Sequence, residues 1–332
     1  MTTTPSILQN RRLRRTRTDP FQRYPISSAM SAITDSEYAS SASAVTRSPL
    51  AKPETPPPKD AAGKIFDEAV GLIQPNFHYA FVTPGNLRNK LLRVHKKYGD
   101  MTVHLLVKGV NEELVNAAIR SLPFRRSLRV WFESDAAIIR MIMPSPAHEI
   151  TSREFSAAIR NHVAQIPGHT YQSVCGVGAT RFRCPGARSK EGDDGFKCTT
   201  RSGAADWPNL MIEVGYSEPL SRLRMDARWW LEASNSLTRM VIIILVSTNP
   251  NNLHLEVWTM PANPNRRSTP ASIPAMSDAI DIDAASTVTP PNGSLRIPYA
   301  VLFDNQNGNA HNFVITTAEL SGLATHVFGV LR

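Results

Sequence analysis

The chain places a carboxylate where burial makes one expensive. Glu213 stands inside the apolar run WPNLMIEVGYSE, Trp207 to Glu218, and strand alternation puts Met211, Glu213 and Gly215 on one face with Ile212 and Val214 on the other. A carboxylate buried in such a strand costs several kcal/mol unless it gains a partner, a proton or a metal ion. An ion pair with Arg224 or Arg228 from the segment that follows is one solution, and a metal ion is another. Earlier in the chain, Asp193 and Asp194 lie in SKEGDDGFK, Ser189 to Lys197, where acids either sit solvated in a turn or ligate a metal. His148 and Glu149, in MPSPAHE, read either as the entrance of a helix or as further members of a site.

The elements that must position these residues follow from periodicity. Leu210 to Val214 reads as the strand carrying Glu213, and Ser217 with Pro219 opens a helix whose apolar face is Leu220, Leu223, Ala227, Trp230 and Leu231. Trp229 and Trp230 read as core in preference to base-stacking platforms. Met240 to Val246 has no polar residue, as expected of a central strand covered on both faces, and Leu253 to Thr259 alternates like its neighbour. Upstream, Leu128 to Phe132 and Ala137 to Met143 read as strands joined through Glu133-Ser134-Asp135, and Pro144 and Pro146 stop the second. Thr151 to Glu154 has the pattern of a capping box ahead of Phe155, Ile159 and Val163, which leaves His148 and Glu149 just before the helix. Tyr171 to Cys184 reads as one or two strands with a bend, and SKEGDDGFK as a polar turn.

These elements suggest five stretches. Residues 1–62 form a basic tail rich in Ser and Pro, expected to be disordered. Residues 63–126 run helix, helix, strand, helix and read as a small α/β module. Residues 127–260 hold the core, and 261–292 read as a mobile insertion rich in Pro, Ser, Ala and Asp. Residues 293–332 supply strands over Leu295 to Phe303 and Asn312 to Thr316, then a closing helix from about Thr317.

Composition narrows the class. The chain has 332 residues, 42% of them hydrophobic and 20% charged, ordinary for a globular protein. No run approaches the roughly 18 apolar residues of a membrane span. Cys175, Cys184 and Cys198 are odd in number and lack paired spacing, which argues for free thiols in an intracellular compartment and against a zinc site. Net charge is +9 with a pI near 9.7, a bias toward polyanionic partners. Residues 1–62 hold nine Lys and Arg against five Asp and Glu, and their RRLRRTR, Arg11 to Arg17, reads as a nuclear-localisation or phosphate-binding patch, a mitochondrial address, or a solvated linker.

The order of elements and the phrases MPSPAHE, KEGDDGF, WPNLMIEVGYSE and LRMDARWWL resemble the restriction-endonuclease-like PD-(D/E)XK superfamily, in particular a group of uncharacterised eukaryotic proteins, over roughly residues 128–258. The resemblance implies an α/β (α+β) fold with a central mixed sheet flanked by helices, and two carboxylates converging on Mg²⁺ or Mn²⁺. Its first acid corresponds to Asp193, with Gly192 where the family has proline, and its second to Glu213, with Glu149 as an additional acid. The motif lysine would stand at Gly215, so a cation must come from elsewhere: Lys190 or Lys197 beside the acidic stretch, or Arg222, Arg224 or Arg228 beyond it. Two expectations follow. One is a metal-dependent nuclease hydrolysing DNA or RNA, with Asp193 and Glu213 as metal ligands, Glu149 and Lys190 assisting, and Arg224 and Arg228 binding phosphate. The other is an inactive member of the fold that binds nucleic acid or a protein partner.

Overall fold

The computed structural model of the protein describes residues 60–99, 101–142, 145–216, 218–261, 273–304 and 312–331. Two units divide the chain, Met1–Pro56 and Pro57–Arg332, and every described residue belongs to the second. The expected disordered tail with its arginine cluster lies outside the described residues up to residue 59, as do Pro144, Ser217 and residues 262–272 of the expected insertion.

From Asp60 the order is α1 (Ala61–Gly71), β1 (His78–Ala80), α2 (Pro84–Tyr98), β2 (Val103–Lys108), α3 (Glu112–Ile119), β3 (Leu128–Glu133), β4 (Ala136–Met141) and α4 (Pro146–Gln165). Then come β5 (Val174–Gly176), β6 (Arg181–Cys184), β7 (Arg188–Glu191), β8 (Asp194–Cys198), β9 (Leu210–Tyr216), α5 (Leu220–Ala233), β10 (Met240–Thr248) and β11 (Asn251–Thr259). The chain closes with β12 (Ala275–Ile282), β13 (Val288–Thr289), β14 (Leu295–Ile297), α6 (Tyr299–Leu302), β15 (Phe313–Ile315) and α7 (Thr317–Gly329).

Two mixed sheets carry the architecture. The first runs β1-β2-β4-β3-β7-β6 and the second β13-β12-β11-β10-β9-β8-β5, with β14 and β15 as a separate pair. Parallel pairing joins β1 to β2 and β9 to β10, and the remaining pairs are antiparallel. The fold is thus mixed α/β with helices on both sides of its sheets.

Three apolar clusters separate the layers. Leu87 and Leu91 of α2 and Val115 of α3 pack on the outer face of the first sheet through Leu105, Val130 and Ile139. Phe155 and Ile159 of α4 and Leu320 and Val327 of α7 cover the outer face of the second through Ile212, Val214, Ile242 and Ile244. Between the sheets lie α1 and α5, with Phe66, Trp229 and Trp230 against Leu106, Trp131, Met211 and Val241. The alternation along β9 therefore sends Ile212 and Val214 to one core and Met211, with Glu213, to the middle layer.

Several local expectations are corrected. SKEGDDGFK is not a turn: Arg188–Glu191 pairs with β3 and β6 in the first sheet, Asp194–Cys198 pairs with β9 and β5 in the second, and only Gly192 and Asp193 cross between them. Helix α4 begins at Pro146, not after Thr151, because Ser145 accepts the amide N–H of Ala147 and proline suits the first helical position. Thr151 instead donates to the carbonyl of Ala147, and Glu154 accepts from His326. Leu295 to Phe303 divides into β14 and the short α6 at Pro298. β1 and β2, from the stretch read as a small module, share a sheet with β3 and β4, since a strand pair so short cannot bury its own face alone. β12 and β13 extend the second sheet from within the stretch read as an insertion.

Candidate functional site

The sheet registers bring a charged cluster into the middle layer. On the first sheet His104 and Arg129 both lie opposite Arg140, forming one row, and Leu106, Ile138, Trp131, Lys190 and Phe182 form the next. On the second sheet Glu213 faces inward from β9, and Asp193 stands where the chain crosses between sheets. Helix α5 lays Arg222, Asp226 and Trp230 along one side at four-residue intervals, all buried. Glu218, in the turn before α5, is buried beside them.

Each acid has a cation from another element. Lys190 Nζ lies 3.0 Å from Glu213 Oε1 and 3.1 Å from Asp226 Oδ1, over the rings of Trp131 and Trp230 at 5.7 and 5.3 Å. Trp230 Nε1 donates to the same Glu213 oxygen at 2.5 Å. Arg140 is the hub: its Nη2 lies 2.5 Å from Asp193 Oδ2, and its Nη1 3.4 Å from Asp226 Oδ2, 3.6 Å from Glu218 Oε1 and 3.8 Å from Glu213 Oε2. Asp193 also accepts the amide of Val214 at 3.0 Å and lies 3.2 Å from Arg129 Nε and 3.4 Å from His148 Nε2. His104 Nε2 lies 3.4 Å from Glu218 Oε2.

Burial and charge pull the titrations apart. Burial pushes the Asp193 carboxyl up, but Arg140, His148 and Arg129 outweigh it and hold the group well below the usual carboxylate range. Burial raises Glu213 to about 6 against the pull of Lys190, and raises Glu218 to about 7 against that of Arg140. Burial would lower His148, yet Asp193 beside it lifts the imidazole to about 9, so it is protonated at neutral pH. His104, buried and facing Arg222, Arg140 and Lys190, is held well below its ordinary value and is neutral. Asp193, Glu213, Glu218 and Asp226 are therefore met by Lys190, Arg129, Arg140, Arg222 and a cationic His148, and the cluster carries no negative excess.

Two glycines let the elements approach. A Cβ at Gly192 would meet Met211 Cε and lie 3.0 Å from Trp230 and 3.4 Å from Glu213 Oε1, so any larger residue at the crossing requires Met211 and Trp230 to give way. At Gly215, the place of the motif lysine, a Cβ would come within 2.6 Å of Leu223 and 3.1 Å of Glu218. Glu218 fills the space a longer side chain would need.

The fit of a divalent cation can be judged from these donors. Asp193 Oδ1 and Glu213 Oε2 are buried and lack a hydrogen-bond partner, so each keeps free lone pairs. Magnesium, however, needs about six oxygens in near-octahedral array, several of them water. The Arg140 guanidinium already bridges the two carboxylates, and the cavity beside Lys190 measures about 20 Å³, the size of roughly one water. Among the described residues no three His, Cys, Asp or Glu side chains are grouped to hold a metal. As arranged, these residues do not fit the ion.

Of the residues singled out in the sequence, Asp193, Glu213, Lys190, His148 and Arg222 come together. Glu149 does not join them: it is exposed, 3.9 Å from His148 Nδ1 and 3.6 Å from Arg153. Arg224 and Arg228 pair with neither Glu213 nor each other's partner, but with Glu256 and Glu68, because they leave α5 on other sides than Arg222 and Asp226. Lys197 donates to the carbonyl of Gly203, away from the cluster. Sequence reading missed Arg140, Asp226, Glu218 and Arg129. The signal for Arg140 was a charge in the apolar strand AAIIRM, the same anomaly that marked Glu213.

No family model matches the chain, and no curated protein sequence matches it. No helix among the described residues is long and apolar enough to cross a membrane.

Proposed function

We propose that the protein is a non-hydrolytic nucleic-acid-binding module of restriction-endonuclease-like type, in which the two motif acids hold the fold together. One observation carries this reading: the Arg140 guanidinium stands between Asp193 and Glu213, where the resemblance calls for a metal ion. The packing agrees, since the pocket beside Lys190, about 20 Å³, has room for roughly one water. Nucleic acid as the partner is supported by the net charge of +9. Purified protein incubated with single- and double-stranded DNA and RNA in Mg²⁺ or Mn²⁺ is expected to cleave none of them, while binding them with an affinity that falls steeply with salt. Cleavage lost in Glu213→Gln but present in the wild type would sink the proposal.

A metal-dependent phosphodiesterase is the second reading, favoured by Lys190, which stands 3.0 Å from Glu213 although the motif position is Gly215. It requires cleavage in the assay above, abolished by Asp193→Asn and by Lys190→Met.

A further inference from the structure

We infer that an arginine-lined cleft beside the buried cluster is the surface that holds the nucleic-acid backbone. The inference rests on the nucleic-acid reading above and assigns it a place. The cleft measures about 690 Å³ and is lined by Arg120, Arg125, Arg126, Arg129, Arg181 and Arg183, with Glu191 its one acid. They come from two stretches: Arg120 follows α3, Arg125 and Arg126 precede β3 and Arg129 lies on β3, while Arg181 and Arg183 lie on β6 about fifty residues later. Convergence of two stretches of different structure on one concavity distinguishes it from a charged run along a single solvated helix.

The six are not equivalent. Arg181 pairs with Glu112 and Glu191, Arg183 with Glu112, and Arg129 with Asp193 and the carbonyl of Gly192. Arg120, Arg125 and Arg126 are exposed, and no acid among the described residues lies within ion-pair distance of their side chains. These three guanidinium groups, with no acid among the described residues within ion-pair distance, raise the local potential beside the acid-paired Arg129, Arg181 and Arg183 and attract polyanions. The volume far exceeds a single phosphate and suits a run of them, each able to take a bidentate guanidinium. Asn116, Ile119, Leu128 and Ala179 complete the lining and no aromatic ring is among its residues, so it offers no aromatic platform for bases. The contact is with the backbone and does not read sequence.

Fluorescence anisotropy with labelled oligonucleotides of unrelated sequence, on the full chain across a salt series, tests this. The triple variant Arg120→Ala, Arg125→Ala, Arg126→Ala should bind on the order of tenfold more weakly at ~0.1 M salt, and its log K against log salt slope should be shallower by about 2 to 3. Wild-type affinity should not depend on oligonucleotide sequence. Unchanged circular dichroism and thermal midpoint establish that the variant is folded. A second variant with Arg11, Arg12, Arg14, Arg15 and Arg17 changed to Ala separates the tail from the cleft. Binding retained in the cleft variant but lost in the tail variant overturns the inference and leaves the nucleic-acid reading standing. Absence of wild-type binding at low salt overturns both. Capture of poly-glutamate through the same three arginines, without oligonucleotide binding, overturns the inference by assigning the cleft to an acidic protein.

Discussion

Two charged regions lie side by side and share Arg129 and Glu191, yet they are built on opposite rules. In the buried cluster every acid faces a cation supplied by another element, and almost no space remains. In the cleft three arginines face solvent with no acid among the described residues to answer them. Taking charges out of water costs several kcal/mol per ion, so a buried set persists only when it is closed electrically. A solvent-facing set needs no such closure and is free to recruit its counter-charge from a ligand. Matched and buried charge joins the two sheets here, whereas the unmatched and open charge is where the proposed binding surface lies.

The strongest way to break that contrast is to open the closed set. Arg140→Ala leaves Asp193 with only Arg129 and His148 as cationic neighbours and removes the common neighbour of Glu213, Glu218 and Asp226, and should cost about 3–5 kcal/mol in urea unfolding. A loss below about 1 kcal/mol would mean that the cluster does not hold the sheets together.

Next in size is a pH effect centred on His148. Its folded value of about 9 lies above the ordinary 6.5, so the stability it contributes is fully present below pH 6.5 and is lost as pH rises through 9. The loss should approach about 3 kcal/mol at most, at 1.36 kcal/mol per unit. Urea midpoints at pH 6.5 and 9.5 should differ more for the wild type than for His148→Gln. Glu213 and Glu218, raised by burial to about 6 and about 7, act with the same sign at lower pH: each costs stability as pH rises from about 4.5 through its folded value.

Gly192→Ala should cost about 1–3 kcal/mol by overpacking the crossing against Met211 and Trp230, read as a fall in thermal midpoint. The cleft should give the smallest stability effect. Arg125→Ala with Arg126→Ala should leave unfolding within about 0.5 kcal/mol of wild type, while oligonucleotide affinity drops. A large destabilisation there would place those arginines with the closed set and erase the distinction.

Periodicity and composition determined much of this protein on their own. The alternation in LMIEVGY put Glu213 opposite Ile212 and Val214, the unbroken run MVIIILV marked the central β10, and the spacing along α5 put Leu223, Ala227 and Trp230 inside. The resemblance, not any local pattern, grouped Lys190 and Asp193 with Glu213. What only the tertiary structure decided is which face meets which. Arg140 lies 53 residues from Asp193 and 86 from Asp226, and no local pattern measures that separation. SKEGDDGFK read as a turn because its polarity was taken as exposure. In the fold Lys190 is answered by Glu213 and Asp226, and Asp193 by Arg140 and Arg129, and both are buried with those partners. A side chain's own face is set by backbone geometry over a few residues. Its electrostatic partner is set by how two sheets pack, and that decided whether Glu213 sees a metal ion or the cations of its own chain.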